Sequence, residues 1–376
     1  LLSAALSASA EEHPLWMRYP AISPDGTTIA FAYKGDLYSV SVNGGEARQL
    51  TTHAAFDSHP VWSPDSKKIA FQSNREGSLD IFVIDAKGGA PTRLTTNSGS
   101  ETPIAFADND HVLYSASLQP TAQSIIFGDN TFPQVYKVST KGGRPELFST
   151  LTMENISIAK NGDILYHDKK GYEDPWRKHQ KSPIARDIWL KSNGKFAKQT
   201  TFAGEDRSPV WTSDEKSFFY LSEQDGTFNI YRRSLNSSSD KQITHHKGNP
   251  VRFLTASSAD LLCYGYDGEI YTVKEGGEPQ KVNISITTDN DAPSLVRQIK
   301  SWGATEISVS PDAKEVAFVM HGGNRLKKLV ELEILALPDK TLAMLMNALA
   351  VRVSLLKHTL VKIGINLSLS LNLLIV

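Results

Sequence analysis

Apolar residues in this chain fall in short runs between polar turns, not in long helical stripes. Thr28-Ile29-Ala30-Phe31 follows the turn Ser23-Pro24-Asp25-Gly26, and Lys68-Ile69-Ala70-Phe71 follows Ser63-Pro64-Asp65-Ser66. Far downstream, Glu315-Val316-Ala317-Phe318 follows Ser310-Pro311-Asp312-Ala313. A second set of runs opens on a polar residue and carries an aromatic third: Asp36-Leu37-Tyr38, Asp80-Ile81-Phe82, Gln134-Val135-Tyr136, Asp187-Ile188-Trp189, Asn229-Ile230-Tyr231 and Glu269-Ile270-Tyr271. Most of these lead into Gly-rich turns, such as Asn43-Gly44-Gly45-Glu46, Lys87-Gly88-Gly89-Ala90, Lys141-Gly142-Gly143-Arg144 and Glu275-Gly276-Gly277-Glu278. Gly takes positive φ at no steric cost, so these turns read as hairpins. After four of the turns comes a run ending in a Thr pair or its remnant, at Thr51-Thr52, Thr95-Thr96, Thr200-Thr201 and Thr244. Loose alternation in such short runs predicts strands covered on both faces.

Cutting at these markers gives units of roughly 40 to 54 residues with four strands each, the mark of a repeat architecture. In the first unit the strands are expected at about residues 19–23, 28–33, 36–42 and 47–50. The fold class is all-β: a six-bladed β-propeller of four-stranded antiparallel blades, over residues 11–289. Residues 290–303 read as a linker, and residues 304–323 as the first strands of a second propeller, opening on Thr305-Glu306-Ile307-Ser308-Val309. One seven-bladed ring is the alternative count. Each unit holds its own four strands, so closure of the ring is expected to rest on side-chain packing alone.

Composition narrows the partners. Lys and Arg number 40 against 41 Asp and Glu, a net charge of −1. No basic field attracts nucleic acid or anionic lipid, and neither is an expected partner. Residues 1–10 are small and apolar and end in Ala8-Ser9-Ala10, which reads as the remnant of a secretory signal peptide. An exported protein, periplasmic or extracellular, is therefore expected. Cys263, the single cysteine, sits in an apolar run and reads as a buried, inert thiol. From residue 324 to 376 aromatics vanish and Leu dominates. This tail reads as an unrelated or frame-shifted continuation that starts near residues 321–324. Its apolar end is broken by Lys362, Asn366, Ser368, Ser370 and Asn372, so no membrane span of about 20 residues is expected.

Catalytic signatures are missing: the chain has no Gly-x-Ser-x-Gly elbow, no His-Glu-x-x-His helix and no phosphate loop. His245 and His246 are adjacent, which on a strand points them to opposite faces, so they read as polar residues of an outer strand. Asp289 and Asp291 lack the spacing of a calcium loop. Asp25, Asp65 and Asp312 lie in the Ser-Pro-Asp turns, where a carboxylate bonding its own backbone is sufficient explanation. No catalytic residue, cofactor or metal is expected. Two insertions break the repeat. The one in the fourth unit, residues 169–183, is basic and aromatic, and its Tyr172, Trp176, Arg177 and His179 are the candidate substrate-binding residues. The one in the third unit, residues 119–133, carries Phe127, Asp129 and Phe132.

The Ser-Pro-Asp-Gly units resemble TolB-like and WD-like propeller repeats. The succession of six units, a linker and a fresh Thr-Glu-Ile-Ser-Val-Ser-Pro-Asp opening resembles the N-terminal part of the tricorn-like proteases. Gly171-Tyr172-Glu173-Asp174-Pro175 and Ile299-Lys300-Ser301-Trp302-Gly303-Ala304 look especially like exported bacterial members. The resemblance covers about residues 11–323. It implies a large serine peptidase in which a second propeller, a PDZ-like domain and a catalytic domain follow the first ring. On that reading the ring gates or docks peptide or unfolded-protein substrates, the downstream domains are its partners, and hydrolysis by this chain alone is not expected. The alternatives are a TolB-like exported module that binds a protein or peptide, and the propeller of a prolyl-oligopeptidase-like enzyme.

If the fourth-unit insertion is a recognition loop, replacing Trp176 and Arg177 by Ala weakens peptide capture and leaves the thermal midpoint nearly unchanged. A loss of several kcal/mol of stability would instead mark the loop as packing.

Overall fold

Six four-stranded antiparallel sheets follow one another along the chain, each in simple sequence order. The first consists of Arg18–Ile22, Thr28–Tyr33, Asp36–Ser41 and Arg48–Gln49, within one residue of the expected bounds. The computed structural model describes residues 14–118, 132–171, 181–235 and 239–287, together with the strands Ala304–Val309 and Val316–Met320. These last two pair antiparallel and belong to a second compact unit, Asn290–Val376. The tail, the linker and Asp312 lie outside the described residues.

The recurring third-position aromatic has a reason that only pairing makes visible. In every blade it stands directly opposite an aromatic on the second strand: Phe31 with Tyr38, Phe71 with Phe82, Tyr114 with Tyr136, Tyr166 with Trp189, Tyr220 with Tyr231, and Tyr264 with Tyr271. Ring centroids in the Phe31, Phe71 and Tyr114 pairs lie 5.7–5.9 Å apart and stack. Phe31, Phe71, Tyr114, Tyr220 and Tyr264 are fully buried. Each such side chain contributes about 2–3 kcal/mol by burial, and a facing aromatic pair adds about 0.5–1.5 kcal/mol.

The Thr residues are clamps. The hydroxyl at the end of the outer strand accepts the N–H of the residue after the leading polar one: Thr51 from Leu37 (2.9 Å), Thr95 from Ile81 (2.9 Å), Thr200 from Ile188 (3.1 Å) and Thr244 from Ile230 (2.9 Å). The Ser-Pro-Asp turns act as expected: Asp25 accepts from the Thr27 N–H (3.0 Å), and Asp65 from the Ser63 hydroxyl (2.7 Å). These turns also join blades. The Asp25 N–H donates to Ser66 of the next blade (3.1 Å), the Asp65 N–H to Asn109 (3.0 Å), the Lys160 N–H to Glu215 (3.0 Å), and the Ser213 N–H to Asp260 (2.7 Å). The Ser258 N–H donates to the carbonyl of Pro24 (2.8 Å), which carries this stitching from blade six back to blade one.

The innermost strands are Arg18–Ile22, Asp57–Trp62, Glu101–Asp108, Met153–Ile158, Asp206–Trp211 and Arg252–Ala256. Each packs on the next, and the sixth packs on the first, so the ring is closed around an axis. Closure does not rest on side chains alone, which corrects the sequence reading. Ile284–Ser285, just beyond the sixth blade, pairs in parallel with Gly45–Glu46 of the first. The Gly45 N–H donates to Asn283 (2.9 Å) and the Ala47 N–H to Ser285 (2.8 Å). Val282, Ile284 and Ile286 bury against Ile29, Phe31, Val40 and Ala47. A two-residue ladder carries no periodic signal, so the pattern of the sequence could not reveal it.

Gly44 is shaped by this latch. Its φ is +83°, and a Cβ there would sit 2.4 Å from the carbonyl oxygen of Asn283. Gly142 holds φ +78° with open space around it. Gly142→Ala therefore tests backbone conformation alone, at about 1 kcal/mol. Gly44→Ala is expected to cost clearly more in denaturant unfolding and to speed hydrogen exchange at the Ala47 amide. Equal costs would show that the latch adds nothing to closure.

Candidate functional site

Antiparallel order fixes one face of the ring as the important one. Innermost strands begin there, second strands end there, and third strands start there. Both insertions leave from the end of a second strand, after His111–Ala116 and after Ile164–Asp168, and return to the start of a third, at Gln134–Ser139 and Ile188–Ser192. They therefore spring from this leading face, on adjacent blades. Tyr172, Trp176, Arg177 and His179 lie outside the described residues, as do Phe127 and Asp129. Phe132 is described, at the foot of its insertion, and is exposed.

Around the axis, each innermost strand is irregular near its start. Tyr19, His59, Asn155, Ser208 and Phe253 hold φ between +48° and +59° at corresponding places in five blades. The third blade has Pro103 there, whose ring fixes a negative φ, and its register slips just beyond, before Ala105. A bulge re-aims the side chain next to it. Its left-handed backbone costs a non-Gly residue about 1–2 kcal/mol, so recurrence in five blades ties it to the geometry of the axial wall. The result is asymmetric. Phe253, Tyr19 and His59 come from three consecutive blades and form one arc, with ring centroids 4.7 Å (Phe253 to Tyr19) and 3.7 Å (Tyr19 to His59) apart. Asn155 and Ser208 supply a polar stretch. Burial pushes the His59 imidazole down to about 4, so it is neutral near pH 7 and packs as an aromatic ring.

Between blades four and five the wall carries an ionic network. Arg186 donates to Glu154 (2.9 Å) and to Glu205 (2.8 Å), and Arg207 donates to Glu205 (2.7 Å). His167 lies 3.0 Å from Glu154 through Nε2, while its Nδ1 accepts the Ser208 N–H at 3.0 Å. Because Nδ1 accepts, the ring proton sits on Nε2, and burial holds the imidazole below its ordinary pKa. Burial alone would raise Glu154, but the His167 hydrogen bond and the Arg186 and Lys169 charges outweigh it and hold the carboxyl well below the usual range. Lys170 pins the stem of the fourth-blade insertion by donating to the Ala185 carbonyl (2.6 Å) and to Asp187. Trp189 donates to Asp168 (3.0 Å) beside it. This arrangement is a largely buried network in which Arg186 and Arg207 are balanced by Glu154 and Glu205. It contains no nucleophile with an adjacent base, and the described residues hold no cluster of three metal-ligating side chains.

Sequence reasoning missed this wall. The usable signal was the pair His59-Pro60-Val61-Trp62 and Ser208-Pro209-Val210-Trp211, in which the bulge residue precedes Pro and each Trp reaches the preceding blade, at Ala21 O (2.8 Å) and Ser157 O (3.1 Å). His245 and His246 need correction. They follow the outer strand Asp240–Gln242 in the crossover to blade six, where His246 stacks on Tyr266 (3.9 Å) and bonds the Tyr264 hydroxyl (2.9 Å). Cys263 is buried, and burial raises its thiol far above the ordinary range, as expected of an inert residue.

These features define a six-bladed propeller with an elaborated leading face. Residues 14–279 match the family described as the tricorn protease N-terminal beta propeller domain, and the chain belongs to it. Tricorn protease homolog 1 of Streptomyces coelicolor is 25% identical over 320 residues, which cover 82% of this chain and 28% of the relative. Tricorn protease of Thermoplasma acidophilum is 24% identical over 349 residues, covering 88% and 31%. The crystal structure of the tricorn protease superposes with a TM-score of 0.63 at 21% identity, over 82% of this chain and 30% of that one. TolB from Acinetobacter baumannii shares the fold, with a TM-score of 0.51 at 14% identity over 72% of this chain and 65% of that one. The chain thus spans 28% and 31% of the length of these two curated relatives.

One buried acid in this wall gives a signed test. Burial raises Asp206 to about 7, against the opposing Ser222 and Thr200 hydroxyls. The folded chain therefore keeps a proton that the unfolded chain releases. That contribution is complete below the ordinary carboxylate range and is lost as pH rises through about 7. Asp206→Asn mimics the protonated form. It is expected to match the unsubstituted protein near pH 3, to pull ahead as pH rises, and to exceed it by about 4 kcal/mol near pH 8. A stability difference that does not change with pH would show that Asp206 titrates normally.

Proposed function

We propose that this ring is the docking and gating module of an exported tricorn-like serine peptidase, receiving peptide or unfolded-protein substrate on its leading face. Hydrolysis belongs to a catalytic domain outside this chain. The supporting observation is where apolar surface is left open. Among the described residues, the large exposed apolar side chains are Leu15 (52%), Trp16 (71%), Phe56 (51%), Phe132 (43%), Leu151 (44%) and Phe196 (44%). The first five sit in segments that lead into an innermost or a third strand, so all five lie on the leading face; only Phe196 belongs to an outer strand, Lys195–Lys198. Scattered apolar residues need no explanation, but five on the one face that also carries both insertions and the axial arc mark a contact surface. Trp16 is held out by backbone, not by packing: its φ is +69°, and the next N–H, of Met17, donates to Gly268 (3.1 Å).

The double variant Trp16→Ser, Phe56→Ser tests this reading against a reduced, carboxymethylated protein as the unfolded probe. Affinity by anisotropy is expected to fall about tenfold, as loss of two exposed aromatic contacts implies, with the thermal midpoint unchanged. Undiminished binding by the variant, or no binding by the unsubstituted ring, would reject the docking role.

A further inference from the structure

The six places just before the axial bulges are equivalent, because each pairs with the matching residue of its second strand. They hold Arg18, Ser58, Thr102, Glu154, Arg207 and Arg252. The three arginines fall on consecutive blades: five, six and one. From this placement we propose that the axial mouth selects acidic peptide segments, taking their carboxylates on Arg252 and Arg18 beside the arc of Phe253 and Tyr19, with Arg207 held behind them by Glu205. The inference rests on the docking reading above and adds a charge preference to it.

Neighbouring charges support the sign. Glu154, the single acid at these six places, is bound by Arg186 and faced by Lys169 at 3.7 Å. Glu205 is shared between Arg186 and Arg207. Asp57, Glu101 and Asp206, at the starts of the second, third and fifth innermost strands, are fully buried; Asp57 is paired with Arg75 (2.8 Å), and burial raises Glu101 and Asp206 to about 7. Glu76, Asp225 and Asp267 stand on turns between second and third strands, farther from the axis. The axial rim is therefore richer in cations than in open carboxylates, although the chain as a whole carries a net −1. Arg18 meets the Tyr19 hydroxyl, and Arg207 lies 5.3 Å from the ring centre of Phe228 besides its bond to Glu205. A guanidinium has five N–H donors, so one that holds a protein partner can still take a carboxylate. Arg18 is exposed and Arg252 half-buried, whereas the Arg207 side chain is only 12% exposed; the aromatic arc offers apolar area next to the first two.

The test is calorimetric titration of the chain with acetylated, amidated peptides of one length that carry an aromatic and differ only in Glu, Gln or Lys at two positions. A fourth peptide has the Gln sequence with a free C-terminal carboxylate. The Glu peptide is expected to bind about tenfold tighter than the Gln peptide, with an advantage that shrinks steeply between about 0.05 and about 0.3 M salt. Arg18→Gln with Arg252→Gln is expected to abolish the advantage and leave Gln-peptide binding unchanged. If that variant does not fold, the salt dependence of the unsubstituted chain decides. Equal binding of the Glu and Gln peptides would overturn this inference while leaving docking intact. A gain confined to the free C-terminus would also overturn it, since the site would then read a chain end. Failure of all four peptides to bind would remove both readings.

Discussion

The structure depends on a sheet that cannot cover itself. Each blade carries an aromatic pair across its second and third strands, and those rings are buried only because another blade lies over them. Four strands of this size expose two apolar faces when alone, and a single repeat of this kind cannot bury them without stacked neighbours. Six of them in a circle cover each other without leaving an uncovered end, provided the circle shuts. The recurrence of the aromatic pair in all six blades, with no exception, follows from that requirement.

Shutting the circle is the harder constraint. Within a blade, register is held by ladders and by the Thr clamp. Between blades it is held at five of the six junctions by one or two hydrogen bonds from one trailing turn to the next, and by Trp62 and Trp211 reaching back one blade. The junction of blades six and one has the same burden as the others but joins residues more than 200 apart in sequence, as Ile22 N–H to Thr255 shows (|i−j| = 233, 3.1 Å). Bringing such distant segments together costs more chain entropy than bringing neighbours together, though the cost grows only slowly with length. The short parallel ladder at Gly45–Glu46 adds backbone bonds where that cost is met. It also explains why one Gly of the first hairpin is tied to a tertiary contact while the same Gly in the third hairpin faces open space.

Legibility in the sequence followed the range of the interaction. Turn chemistry is local, so Ser-Pro-Asp and Gly-Gly placed the first-blade strands within a residue and gave the blade count. The third-strand aromatic and the Thr marker were visible as patterns, but their partners were not, because each partner lies on another strand. The latch and the axial wall were illegible for a stronger reason. A two-residue strand has no period, and the wall is assembled from one or two residues of each blade, so its members are some 40 residues apart and chemically unlike. Arg18, Ser58, Thr102, Glu154, Arg207 and Arg252 look unrelated until pairing with the second strand shows them to be one position repeated six times.

That repetition separates what the fold needs from what it leaves free. At places where blades meet, side chains answer to neighbours and stay alike: aromatic against aromatic, Thr on a backbone N–H, a carboxylate in its own turn. At the axial positions the innermost strand has no further strand to pair with, and each side chain answers to contacts of its own blade. There the six residues diverge into a cationic side, a neutral side and one bound acid, and the bulge residues beside them split into aromatic and polar. The local surroundings differ in step with that divergence: Glu154 meets Arg186 and His167, Arg207 meets Glu205 and Phe228, and Ser58 meets Gln72. Blade-on-blade packing therefore fixes the repeated positions, while contacts particular to each blade set the axial ones.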